Sequence, residues 1–522
     1  MASSSSTPGG EGNQPSPFLG MPDLARQFVS YLYRHIRERN VPEIHVMINS
    51  SFPKLSERYF KASAWPSPEA VAALVDHDHV FMLLYKELYY RHIYRQPAPL
   101  IEHRVASWAN YQALFGVILH GNPNMFLPPS WLFSMIDEFA YQFQSFQHYR
   151  AKDASSRSDE ETAVLAQAQQ ENVWNPSHVL NYLQALVDKS EVVEKLKRAN
   201  ATGRGDASVL ENAHISNVLP LLGYYSLVGL CRVHCLLGDF HSALDVLSPI
   251  HLSRPGYYVR VPASHASVLY HAGFAYMASR RYVDAIRCLS GACVAVSRAR
   301  VGFRGTPSTL EALLKRAEQS YALLACCLAL VPRWEAVDEA VATTLKTDVW
   351  ATRMSRLEGG EEGLFDELFS YGCPKFVTLV EDDHTQAFRA QLALFMHDVR
   401  ARIAAASVAS YLRLYSSISL DKLAVLSGEE VSVVRQSLMS LRSQSQIKTV
   451  PASAAHNASA SATEGTFLSY DRIDFKIEGD IVRVIDGADA KTRGHGASSN
   501  YAPFFASALQ SLDVLLKGET TA

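Results

Sequence analysis

The stretch GDFHSALDVL at residues 238–247 is echoed by RRYVDAIRCL at residues 280–289. Phe240, Ala243, Leu244 and Leu247 stand in the same relation as Tyr282, Ala285, Ile286 and Leu289, 42 positions further on (240 to 282). A spacing of i, i+3, i+4 and i+7 is one face of an α-helix, and its return at a fixed interval predicts stacked helix pairs. In each pair the small Ala lets two helices approach, and the aromatic at the turn fills the space beside the next helix. The interval exceeds the 34 residues of a tetratricopeptide unit, so the expectation is a loose helical repeat.

Towards the N-terminus the pattern stays helical. In VFMLLYKELYYRHIY, Phe81, Leu84, Tyr85 and Leu88 form one apolar stripe with Lys86, Glu87 and Arg91 off it, which predicts an amphipathic helix. A second helix is expected after Pro128-Pro129-Ser130, capped by Ser130, with Leu132, Met135, Ile136, Phe139, Phe143 and Phe146 on its buried face. The polar, charged stretch AKDASSRSDEETAVLAQAQQ suits a linker or an exposed helix.

Towards the C-terminus the character changes near Ala405. SLDKLAVLSG reads as a short helix, and Ser427 with Glu430 reads as a capping box opening a second helix through Val433, Val434, Leu438 and Leu441. The low-complexity run VPASAAHNASASATEG follows. In RIDFKIEGDIVRVID, Ile473, Phe475 and Ile477 alternate with polar neighbours, Gly479-Asp480 supplies a tight turn, and Ile481, Val482 and Val484 complete a β-hairpin. Helix, helix, hairpin is a winged-helix order. A last amphipathic helix is expected from Pro503, carrying Phe505, Leu509, Leu512 and Leu516.

The expected fold is therefore mainly α: a TPR-like helical-repeat array followed by a winged-helix module with a small β-hairpin and a C-terminal helix. The divisions are 1–17 as a disordered tail, 18–150 as an N-terminal helical region and 151–172 as a linker. Helical repeats follow over 173–405, the winged helix over 406–490 with its low-complexity insertion near 450–465, and a linker and terminal helix over 491–522. A chain of 522 residues is too long for one compact core, which fits two or three units.

Composition narrows the function classes. The 49 Lys and Arg against 52 Asp and Glu leave a formal charge of −3, which offers no global attraction to nucleic acid or anionic lipid. RNA contact must then be local, with Arg298, Arg300 and Arg304 near Phe303, the run Lys195, Lys197, Arg198 and Arg204, and Arg435 and Arg442 on the second helix of the winged-helix region as candidates. The first residues have neither a basic nor an apolar signal region, and the richest apolar stretch, Leu219 to Leu237, is broken by Gly223, Arg232 and His234. No membrane partner is expected. Seven cysteines without a CxxC pair suit reduced thiols and a cytoplasmic location.

No GxSxG, GxxxxGK[ST] or GxGxxG string occurs. Ser419-Leu420-Asp421-Lys422 has the SxxK spacing, but Ser is the expected cap at a helix start. Cys231, His234 and Cys235 share one helical turn without a second cluster to complete a zinc site, and Asp76 and Asp78 beside His77 and His79 suit a helix N-terminus. The reading is of a non-catalytic chain with no metal, cofactor or small-molecule substrate.

Five strings carry a resemblance: LYKELYYRHIY at 84–94, MIDEFAYQFQSFQHYR at 135–150, LGYYSLVGLCRVHCLLGDF at 222–240, ELFSYGCPKFV at 367–377 and YLRLYSSISLDKLA at 411–424. With the order of repeats, winged helix and terminal helix, the chain resembles PCI-domain proteins, and these strings resemble the L-subunit family of eukaryotic translation initiation factor 3. The resemblance implies a scaffold subunit of a multi-protein factor that binds the small ribosomal subunit and helps recruit mRNA. It further implies that Ile473, Phe475, Ile477, Ile481, Val482 and Val484 serve edge pairing between subunits, and that Phe505, Leu509, Leu512 and Leu516 join a bundle of C-terminal helices. Alternatives are a PCI scaffold of another assembly, of proteasome-lid or signalosome type, and a free-standing winged-helix RNA-binding adaptor.

Overall fold

The computed structural model describes residues 21–95, 99–121, 123–152, 157–202, 206, 210, 216–252, 254–302, 307–379, 383, 385–412, 414–449, 462–469 and 474–485. The N-terminal tail, most of the low-complexity run, Ile473 and the segment carrying Phe505, Leu509, Leu512 and Leu516 lie outside them.

The described chain is mainly helical. It opens with α1 (Asp23–Glu38), α2 (Val41–Val46), α3 (Phe52–Tyr59) and α4 (Pro68–Ala72), gathered on the rings of Phe28, Phe52 and Trp65. The next two helices, α5 (His79–Tyr94) and α6 (Ile101–Gly121), pack on each other. Asp78 caps α5 by accepting from the Phe81 N–H at 3.1 Å. The stripe of Phe81, Leu84, Tyr85 and Leu88 is buried. The residues read as lying off it are not all at the surface: Glu87 and Arg91 are buried too, paired with each other, and the Trp131 indole donates to Glu87 at 3.0 Å. Helix α5 is enclosed on more than one side, so its i, i+4 ion pair closes inside the protein.

Helix α7 (Pro129–Arg150) begins at a proline whose missing N–H costs nothing there. All six residues read as its buried face are buried. Ser130 is not the cap. The helix begins one residue earlier, and the Ser130 hydroxyl lies beside His45 and Asn49 instead. Next come α8 (Asp159–Gln170), α9 (Pro176–Ser190) and α10 (Val192–Ala201). Helix α8 carries a complete capping box, with Ser158 and Glu161 each bound to the other's main-chain N–H.

The helix pairs expected from the sequence echo are present. Helix α11 (Val218–Leu237) turns through Gly238, at φ +83°, into α12 (Phe240–Val246), while α13 (Pro262–Ala278) turns into α14 (Tyr282–Val301). Phe240 and Tyr282 each open the second helix of their pair, and Ala243 and Ala285 are fully buried. Close approach reaches glycine limits: a Cβ on Gly229 would lie 2.5 Å from Ile136 of α7, and one on Gly273 would lie 2.8 Å from Leu289 of α14. Helix α11 is long and apolar enough to cross a membrane by length and composition, and 83% of that window is buried inside the protein. The stack continues through α15 (Pro307–Leu330), α16 (Glu339–Leu345), α17 (Asp348–Glu358) and α18 (Glu362–Gly372). One continuous apolar core runs from Ala25 to Val399 and is joined by Ala462.

Helix α19 (Gln386–Leu412) joins two cores. Phe395, Met396 and Val399 belong to the array, with Phe395 stacked on Phe369 at 4.5 Å, whereas Val408, Ala409 and Leu412 enter a second, smaller core. That core is completed by β1 (Ser417–Ser419), α20 (Leu420–Ser427), α21 (Val431–Ser445) and the hairpin β4 (Asp474–Glu478) and β5 (Ile481–Ile485). Ser419 caps α20, accepting from the Lys422 N–H at 3.3 Å. Ser427 does not open α21. It is the last residue of α20, its hydroxyl donating to the Ala424 carbonyl, because Gly428 at φ +73° ends that helix. Val434, Leu438 and Leu441 of α21 are buried as expected, but Val433 is 42% exposed.

Two further strands, β2 (Gln446–Thr449) and β3 (Thr466–Ser469), form a separate antiparallel ladder flanking the low-complexity run.

Candidate subunit interface

The β4–β5 hairpin follows from its turn. Gly479 at φ +63° and Asp480 form a two-residue loop, which fixes the register Glu478↔Ile481, Ile477↔Val482 and Phe475↔Val484. The period of two then puts Phe475, Ile477, Val482 and Val484 on the face toward the module's core. Phe475 and Val482 are buried, and Ile477 and Val484 are half-buried against that core, while Ile481 on the opposite face is 46% exposed. Four of the six residues assigned to subunit pairing thus have side chains committed within the module. What faces outward with Ile481 is the row Lys476, Glu478 and Arg483, with Arg483 lying near Glu478 at 3.4 Å.

The three-stranded sheet has the order β1-β5-β4. Strand β5 is central, paired on one side with β1 through Ile418↔Val482 and on the other with β4. Strand β4 is therefore an edge of the sheet, with no further strand paired on its outer side among the described residues. No pattern in the sequence pointed to β1, whose three residues are too few to show alternation.

The candidate basic residues do not converge. Arg435 reaches back to the hairpin turn, donating to Asp480 at 3.0 Å and to the Gly479 carbonyl at 3.2 Å. Arg442 is exposed near the end of α21. Lys195 donates to the Ser190 carbonyl at the end of α9, and Lys197 faces Glu194. Arg298 and Arg300 are exposed on the last turn of α14, and Arg304 with Phe303 lies outside the described residues. Arg298 borders a cleft of about 750 Å³ between α13, α14 and the loop before them, which Arg254, Arg287 and His265 also line. Burial, with Arg298 nearby, holds the His265 imidazole below its usual range.

The thiols are structural. All seven cysteines are buried and free, and burial pushes Cys288 and Cys373 up to about 12, which suppresses the thiolate that nucleophilic or ligand chemistry needs. Cys235 faces the His271 carbonyl at 3.6 Å and His234 lies 3.6 Å from Asp239, so the turn bearing Cys231, His234 and Cys235 is spent on packing. Among the described residues no group of three or more His, Cys, Asp or Glu side chains is placed to hold a metal ion.

Residues 103–501 match the family model described as RNA polymerase I-associated factor PAF67, a span that takes in most of the array and the whole module. The chain is 34% identical over 487 residues to eukaryotic translation initiation factor 3 subunit L of Nematostella vectensis, covering 91% of this chain and 90% of that protein. It is 36% identical to the Culex quinquefasciatus subunit L, covering 90% of this chain and 89% of that protein. The chain belongs to the family of eukaryotic translation initiation factor 3 subunit L. The Danio rerio subunit L is also 36% identical, over 85% of this chain and 77% of that protein.

Proposed function

We propose that this chain is a non-catalytic scaffold subunit of translation initiation factor 3 in the cytoplasm, supporting small-subunit binding and mRNA recruitment. In this reading the region 406–490 is a PCI winged helix and the array before it is its rigid support. The observation that carries the reading is the place of β4 at the edge of the β1-β5-β4 sheet among the described residues. An open edge is normally covered by another strand or protected, and a row of main-chain donors and acceptors is suited to pairing with a neighbouring subunit. Since Phe475, Ile477, Val482 and Val484 are turned toward the module's own core, this contact uses the β4 main chain with Lys476 and Glu478 flanking it. The segment from Pro503, carrying Phe505, Leu509, Leu512 and Leu516, supplies a second attachment to a helix bundle.

Affinity purification of the tagged full-length chain from cell extract, beside a form ending before Pro503, tests this. Mass spectrometry should recover the other initiation factor 3 subunits, with small-subunit ribosomal RNA, and less of both for the shortened form. Recovery of proteasome-lid, signalosome or RNA polymerase I subunits in their place would overturn the assignment.

A further inference from the structure

The ladder β2–β3 belongs by sequence to the C-terminal module but rests on the repeat array. Arg281, at the turn between α13 and α14, is 5% exposed and sends one guanidinium nitrogen to the Ala462 carbonyl and another to the Glu464 carbonyl, each at 2.8 Å. The same guanidinium forks onto Asp284 at 3.0 and 2.8 Å and lies over the Tyr276 ring at 4.8 Å. From the ladder side, the Thr449 hydroxyl donates to the other Asp284 oxygen at 2.8 Å. The Tyr276 hydroxyl donates to the Ala462 carbonyl at 2.9 Å. Immediately before β3, Gly465 at φ +156° is seated so closely that a Cβ would lie 2.8 Å from the Thr449 carbonyl oxygen. Thr449 and Ala462 are themselves buried.

A buried ion pair whose hydrogen-bonding capacity is completed by another segment holds that segment in one geometry, because leaving the charges without those partners costs their desolvation. The planar guanidinium adds direction, since each of its donors is aimed. The module already meets the array through α19. One helix fixes a direction but leaves rotation and bending about it, and a second attachment at a different point removes that freedom.

We propose that Arg281, Asp284 and Thr449 are positioning residues. They clamp the β2–β3 ladder to the α13–α14 turn and thereby set the angle at which the module presents its β4 edge. This deepens the interface reading, but it concerns the chain alone.

The test places spin labels on cysteines introduced at Val349 on α17 and Val425 on α20. These positions are 65% and 82% exposed, while the native thiols are buried. Distance distributions are then measured by pulsed electron paramagnetic resonance on the full-length protein. The parent should give a single narrow distance. Thr449→Val combined with Gly465→Ala, one on the ladder and one directly before β3 and neither in the array, should lose it, with a broad or second population appearing while the array's thermal transition stays. Thr449→Ser, which keeps the hydroxyl, should retain the parent distance. A combined variant that keeps the single narrow distance, a parent that is already broad, or broadening that comes only with loss of the array's transition would each overturn the clamp. Any of these would leave the partner-recovery experiment above to decide the scaffold reading by itself.

Discussion

Two glycines inside helices of the array should respond oppositely to the same substitution. Replacing either by Ala gains about 1 kcal/mol of helix propensity. A Cβ at Gly116 of α6 meets nothing within 4 Å, so Gly116→Ala should stabilise by that amount. At Gly223 of α11 the added carbon would lie 2.6 Å from the Ser190 Cβ and 3.0 Å from the Leu186 carbonyl oxygen, both on α9. Ser190 cannot easily yield, being buried and donating to the Val187 carbonyl at 2.8 Å. Overpacking of this kind costs roughly 1–3 kcal/mol. Because the propensity gain cancels between the two variants, their difference in stability reads that cost directly. Urea unfolding followed by far-ultraviolet circular dichroism supplies the comparison, and Ser190→Gly added to Gly223→Ala should narrow the gap. Equal shifts of the unfolding midpoint in the same direction would refute the claim that α9 and α11 are in glycine-limited contact.

Further outcomes follow from buried polar groups. Arg91→Met leaves the Glu87 carboxylate buried without its cation and should cost about 3–5 kcal/mol, largely recovered by adding Glu87→Leu; a loss under about 1 kcal/mol in urea unfolding would contradict the burial of the pair. Burial, reinforced by Arg316 and Arg232, holds His271 well below the usual imidazole range. Below about pH 6.5 the unfolded chain binds the proton that folded His271 refuses, so its contribution is full above that pH and is lost on acidification, by up to about 1.4 kcal/mol per unit. His271→Gln should flatten this slope between pH 7 and 5, and an unchanged slope counts against it. Ser419→Ala should cost about 1 kcal/mol through the cap of α20, read as earlier amide exchange in that helix. Iodoacetamide at neutral pH should leave all seven thiols unmodified in the folded chain and modify them on unfolding; rapid labelling of any one when folded would place it outside the core.

The repeat array was legible because its helices face one core. Phe240 and Tyr282 mark corresponding turns, and the apolar stripe of α7 maps onto its buried face residue for residue. The hairpin was legible from alternation plus Gly479-Asp480, and the Ser419 cap from its position before a helix. Where tertiary packing decides, local pattern misled. Glu87 and Arg91 read as surface charge because periodicity assumes one buried face, whereas α5 is enclosed on several. Ser427 matched a capping box, but Gly428 beside it carried the stronger helix-stop signal. Strands β2 and β3 are four residues each and flank a low-complexity run, too short for alternation to show. Their attachment depends on Arg281 and Asp284, which lie more than 160 positions away in sequence. Edge pairing was expected of the hairpin's apolar side chains, but the register turns four of them, Phe475, Ile477, Val482 and Val484, toward the module's own core.

The most direct test of the scaffold reading is amide hydrogen exchange on the full-length chain, alone and within purified initiation factor 3. If β4 pairs with a neighbouring subunit, amides of Asp474–Glu478 should exchange markedly more slowly in the assembled factor, while those of buried α11 stay as they are. Exchange at Asp474–Glu478 that is the same in both states would contradict edge pairing and require the chain to be held in the factor by another surface.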